Sequence, residues 1–167
     1  NMSMQSAGSR EVAIIEAVRT PVGRGHKEKG YYKDTHPNVL LGSVQKAALD
    51  RAGLDPLEVE NVMTGCVQQL GEQSLNIGRN AVLTAGWPET VPATTIDRQC
   101  GSSQQAAHFA AQAVMSGAHD IVLADYHLPG FTGLDAWELV RSSGIEIPFV
   151  ILSGAIGETA AVDAMHR

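Results

Sequence analysis

Asp120-Ile121-Val122-Leu123-Ala124-Asp125 is a continuous apolar run closed at each end by an aspartate, and its reading decides the fold. A strand that faces water on one side alternates in character. One that is apolar throughout is buried on both faces, as in parallel sheets covered by helices. The same unit recurs on both sides of it. Upstream, Ala106, Ala107, Ala110, Ala111 and Ala113 mark a thin-sided helix ending near Ser116-Gly117, expected to be central and buried, and Thr94-Thr95-Ile96-Asp97-Arg98 precedes it as a short strand. Val59 to Val67 reads as another strand, followed by the polar loop Gly71-Glu72-Gln73-Ser74 and a helix that Asn76 caps and Gly86-Trp87-Pro88 ends. Leu40, Leu41, Val44, Ala47, Ala48 and Ala52 recur at helical spacing between Val39 and Gly53, and the run from Glu11 to Val18 is the first strand. Downstream, helices are predicted over 133–142 and 158–166, with a strand over 147–152 between them. Strand and helix alternate from end to end. That pattern predicts an α/β fold, a three-layer α/β/α arrangement with a mostly parallel sheet.

The 167 residues are 44% hydrophobic, enough for a genuine core. Twelve basic against eighteen acidic residues give a formal charge of −6, which argues against nucleic acid as a partner. No apolar run reaches membrane-spanning length, and two cysteines do not make a disulfide scaffold. A cytoplasmic location with both thiols free is the expectation. Residues 1–10 are polar, small and without period, and are read as a disordered terminus or an expression-tag remnant.

Cys100 stands where a short strand meets the Ala-rich helix. A thiol at such a turn faces unpaired amide N–H groups and the positive end of the helix dipole, the setting that nucleophilic sulfur uses. The segment Asp97-Arg98-Gln99-Cys100-Gly101-Ser102-Ser103-Gln104-Gln105-Ala106 resembles the thiolase nucleophile motif, and other stretches agree with it in order. Glu16-Ala17-Val18-Arg19-Thr20-Pro21-Val22-Gly23 resembles the thiolase first strand and turn. Gly65-Cys66-Val67-Gln68-Gln69, Gly71-Glu72 and Asn76-Ile77-Gly78-Arg79 resemble the second strand and its loop, and Ala85-Gly86-Trp87-Pro88 the turn that follows. The resemblance runs over about 11–122. It implies acyl transfer between coenzyme A thioesters through a Cys100 thioester, acyl-CoA molecules as partners, a homo-oligomer, and no bound cofactor. It also implies a histidine, a second cysteine and an oxyanion pocket that thiolases draw from later in their chains. Those are not found here, so the isolated chain is expected to be incomplete or inactive. Cys66 falls in the second predicted strand and is expected in the core. His108 lies about two turns along the helix from Cys100, His26 and His36 in loops, and His119 has the best claim of the histidines to an edge near chemistry.

Asp125 ends the strand that opened this reading. Val122-Leu123-Ala124-Asp125-Tyr126-His127-Leu128-Pro129-Gly130-Phe131-Thr132-Gly133-Leu134-Asp135 resembles the phosphoacceptor segment of a response-regulator receiver domain, and Ile147-Pro148-Phe149-Val150-Ile151-Leu152-Ser153-Gly154 its next strand. The resemblance implies that Asp125 accepts a phosphoryl group and helps hold Mg²⁺, and that Ser153 hydrogen-bonds the phosphate. Receivers add an acidic pair from the first strand and a lysine from a fifth, neither of which this sequence supplies. The chain thus reads as a join of two families, with a thiolase-like unit over 11–122 and a receiver-like segment over 123–167 that completes one hybrid sheet. The alternatives are a noncatalytic phosphoacceptor module and a recombinant without function.

Overall fold

The computed structural model describes residues 10–125 and 149–153, so the helices predicted over 133–142 and 158–166 lie outside the described residues. Five strands, β1 (Ala13–Val18), β2 (Asn61–Gly65), β3 (Ala93–Ile96), β4 (Ile121–Asp125) and β5 (Phe149–Ser153), form one sheet in the order β1-β5-β4-β2-β3. Every pairing is parallel. Three helices cross between them: α1 (Pro37–Ala52), α2 (Ile77–Thr84) and α3 (Ser102–Met115).

Side-chain alternation along each strand divides the core in two. Val62 and Leu123 face α1 and α2, where they meet Ala48, Leu49, Val82, Trp87 and Val91. Val122 and Ala124 face the other way, onto Ala110 and Val114 of α3, with Met63 alongside. The sheet therefore has helices on both faces, as the sequence predicts. Each valine fully buried here is worth about 1.5–3 kcal/mol relative to exposure.

Two expectations need correcting. Only one face of α3 is buried: Ser102, Ala106, Ala110 and Val114 recur every four residues against the sheet, while His108, Phe109 and Met115 are exposed. Its small residues suit a close approach to strands and do not require cover all round. The second strand stops at Gly65, so Cys66 lies past its end and is half-buried, outside the core.

A parallel sheet has two unlike edges. Loops that follow strands gather at the carboxyl edge (19–36, 66–76, 97–101), and loops that follow helices gather at the amino edge (53–60, 85–92, 116–120). The helix-to-strand turns use glycine where the backbone turns left-handed, at Gly53 (φ +70°), Gly86 (φ +77°) and Gly117 (φ +75°), so they carry no side-chain strain.

Candidate functional site

Cys100 sits at the carboxyl edge, in a single 3₁₀ turn, Gln99–Gly101, that leads directly into α3. It is exposed. The turn is held by its neighbours. Asp97 Oδ1 accepts from the Gln99 N–H at 2.9 Å, the Ser102 hydroxyl accepts from the Arg98 N–H at 2.9 Å, and the same hydroxyl donates to the Gln99 carbonyl at 2.8 Å. Arg98 reaches Gln105 on the first turns of the helix. These bonds hold Gln99 at φ +47°, a left-handed conformation that a non-glycine residue adopts at a cost of about 1–3 kcal/mol. The strain falls on the residue immediately before the cysteine. No side chain caps α3.

A second strained segment stands beside it. Leu75 (φ +57°) and Asn76 (φ +62°) are both left-handed, and Asn76 is fixed from three sides. Its Oδ1 accepts from the Arg79 N–H at 3.2 Å and from the Thr95 hydroxyl at 2.6 Å, and its Nδ2 donates to the Ala93 carbonyl at 2.9 Å. The N-cap predicted from sequence is thus also a clamp onto β3, the strand that feeds Cys100. The end of β2 touches the same turn from the other side. A Cβ on Gly65 would stand 2.3 Å from the Ser103 amide nitrogen, so only glycine lets β2 run this close to the start of α3. Cys66 follows at once, its N–H donating to the Ile96 carbonyl at 3.0 Å and its thiol to Gln73 Oε1 at 3.1 Å. Both cysteines therefore belong to the carboxyl edge, a juxtaposition that the sequence reading missed when it assigned Cys66 to the core. Glycine at the strand terminus was the available signal.

None of the four histidines among the described residues is brought to Cys100. His119 precedes β4 and so lies at the amino edge, where its Nε2 is 3.4 Å from Asn61 Nδ2 and its Nδ1 is 3.8 Å from Glu60 Oε2. The expectation that placed it near chemistry fails on topology, because a residue between α3 and β4 is a strand length, roughly 17 Å, from the carboxyl edge. His36 caps α1 by accepting from the Asn38 N–H at 3.2 Å, and His26 Nδ1 accepts the N–H groups of Glu28 and Lys29 at 3.1 and 3.0 Å. His108 is exposed on α3. Asp125 and Ser153 are register partners at the carboxyl ends of β4 and β5. Among the described residues no group of three or more His, Cys, Asp or Glu is placed to hold a metal ion. No helix among them is long and apolar enough to cross a membrane.

Comparison with known proteins points one way. The family model described as "Thiolase, N-terminal domain" matches residues 12–125. A steroid 3-ketoacyl-CoA thiolase of Mycobacterium tuberculosis is 48% identical over 114 residues, which cover 68% of this chain and 27% of the relative. A 3-ketoacyl-CoA thiolase of Aliivibrio salmonicida is 38% identical over 157 residues, 90% of this chain and 39% of the relative. The crystal structure of the Bacillus anthracis acetyl-CoA acetyltransferase superposes with a TM-score of 0.60 at 35% identity, over 70% of this chain and 29% of that one. The chain thus spans between about a quarter and two-fifths of the length of these relatives.

Proposed function

Because the chain belongs to the thiolase family, we propose that Cys100 accepts an acyl group from an acyl-CoA and holds it as a thioester. The sulfur of Cys100 attacks the thioester carbonyl, a new S–C bond forms, the bond to coenzyme A breaks, and the thiol proton leaves with the coenzyme A sulfur. The observation that carries this reading is an exposed cysteine in a turn strained at Gln99 and pinned by Asp97 and Ser102, at the edge where parallel sheets bind ligands. The names of the relatives supply the substrate class, 3-ketoacyl-CoA or acetyl-CoA. The chain by itself performs acyl acceptance without turnover, since none of the described residues offers Cys100 a histidine to take its proton. We further propose a homo-oligomer, supported by the open edge of β3 and by Leu70 and Leu75 at 80% and 87% exposure in the loop beside it.

Intact-mass measurement after incubation with acetyl-CoA tests the proposal. One acetyl adduct on the parent chain and none on Cys100→Ser is the expected result; an adduct that survives the substitution contradicts it.

A second reading keeps one observation in its favour, the pairing of Asp125 with Ser153 at adjacent strand ends, which suits a phosphoacceptor and its partner hydroxyl. Against it, the family match includes Asp125, and an alignment to a thiolase that takes in 90% of the chain runs well past it. Labelling by acetyl phosphate that disappears in Asp125→Asn would restore the receiver-type reading.

A further inference from the structure

Asp97 is the one carboxylate in the turn that carries Cys100, and its hydrogen bonds among the described residues all go to a single neighbour. Its Oδ1 accepts from the Gln99 N–H at 2.9 Å, and the Gln99 side-chain amide donates to Oδ1 at 3.2 Å and to Oδ2 at 3.3 Å. Arg98, the cation beside it in sequence, turns to Gln105 instead, and none of the ion pairs among the described residues includes Asp97. An aspartate that bonds the N–H two positions on folds the chain into a turn, and here the side chain of the same residue closes a second ring. Gln99 is gripped by its backbone and its side chain at once.

That grip decides where the next residue goes. Gln99 is exposed, so burial does not keep it at φ +47°. Released, a glutamine returns to φ near −60°, a rotation of roughly 110° about its N–Cα bond that redirects the chain into Cys100. Ser102 holds the turn through other atoms. Its buried hydroxyl takes the Arg98 N–H and donates to the Gln99 carbonyl, and the Gly101 N–H reaches the Arg98 carbonyl at 3.0 Å. These ties remain when the Asp97 carboxylate is removed, so the start of α3 survives its loss.

We propose that Asp97 is the positioning residue for the Cys100 thiol and acts through Gln99: it keeps the residue before the cysteine left-handed, and with it the thiol at the entrance to α3. The inference deepens the acyl-CoA reading of Cys100 and rests on it for what the thiol is used for, while the geometry stands without it. A carboxylate suits the task because both of its oxygens accept, one from the Gln99 backbone and both from the Gln99 amide. Asparagine at this position keeps one acceptor for the backbone N–H. Alanine keeps none.

The test is the second-order rate at which iodoacetamide alkylates Cys100 in the folded chain, read by peptide mapping with the Cys66 peptide as internal reference, and repeated for acetylation by acetyl-CoA. Asp97→Ala slows alkylation of Cys100 by about fivefold or more and leaves Cys66 unchanged, and Asp97→Asn recovers to within about twofold of the parent. Gln99→Gly, which removes the side-chain half of the grip, slows it as well and carries the test if Asp97→Ala fails to fold. The double variant Asp97→Ala/Gln99→Gly is no slower than the slower single one, because both changes undo one arrangement. A residue that only stabilised the fold would lower the melting temperature and leave these rates alone. Unchanged alkylation in Asp97→Ala or in Gln99→Gly, a slowing that Asp97→Asn does not recover, or slowing that multiplies in the double variant overturns the inference. Acetylation follows the same order of variants. A parent chain that shows this pattern with iodoacetamide and takes no acetyl group from acetyl-CoA would remove the acyl-CoA reading and leave the role of Asp97 standing.

Discussion

The two edges of the sheet differ in which residues take the left-handed backbone positions. At the amino edge the left-handed positions are Gly53, Gly86 and Gly117, and the turn before β4 is tied down by Arg10 to Asp120 and by His119 beside Glu60. At the carboxyl edge Gly71 is left-handed too, but so are Leu75, Asn76 and Gln99, with Asn76 accepting from Thr95 and donating to Ala93, and Gln99 donating to Asp97. Glycine would relieve the second edge as it does the first. Strain kept at a site and offset by its surroundings fits the role proposed for the Cys100 thiol.

Substitutions can break that contrast or sharpen it. Cys100→Ser should have the largest effect, complete loss of the acetyl adduct with the thermal melt unchanged, because the residue is exposed. Gly65→Ala comes next: with Ser103 backbone atoms at 2.3 and 2.5 Å from the new Cβ, the strand end and α3 must separate, and chemical denaturation should register a loss of about 1–3 kcal/mol. Asn76→Ala removes the cap of α2 and the clamp on β3 together, for a loss of about 1–2 kcal/mol in the same assay.

Gln99→Gly is the sharper test, since relief of the left-handed strain should leave stability equal or up to about 1 kcal/mol higher while acetylation of Cys100 slows. If acetylation is unaffected, the strain has no part in presenting the thiol. His119→Ala should have the least effect, a loss below about 1 kcal/mol from a half-exposed contact and no change in acetylation rate, because it lies at the other edge.

Much of this was legible in the chain because it is local. The apolar run at 121–124, the helical spacing from Leu40 to Ala52 and the cap at Asn76 each state an element in consecutive residues, and the alternation of elements states the parallel sheet. The motif around Cys100 marked the proposed nucleophile by resemblance. What escaped depends on contacts across the sheet. The close approach of Gly65 to Ser103 and the clamp from Asn76 to Thr95 join residues 38 and 19 positions apart, and no local pattern announces them or the half-buried place of Cys66. The position of His119 was readable in principle, since chain order alone puts a residue between α3 and β4 at the amino edge.

The central claim, that the carboxyl edge presents Cys100 and not its neighbour Cys66, is tested most directly by peptide mapping after brief exposure to acetyl-CoA. The predicted result is acetyl on the Cys100 peptide alone, with Cys66 unmodified behind its bond to Gln73. Acetyl on Cys66 instead, or equally on both, would contradict the account.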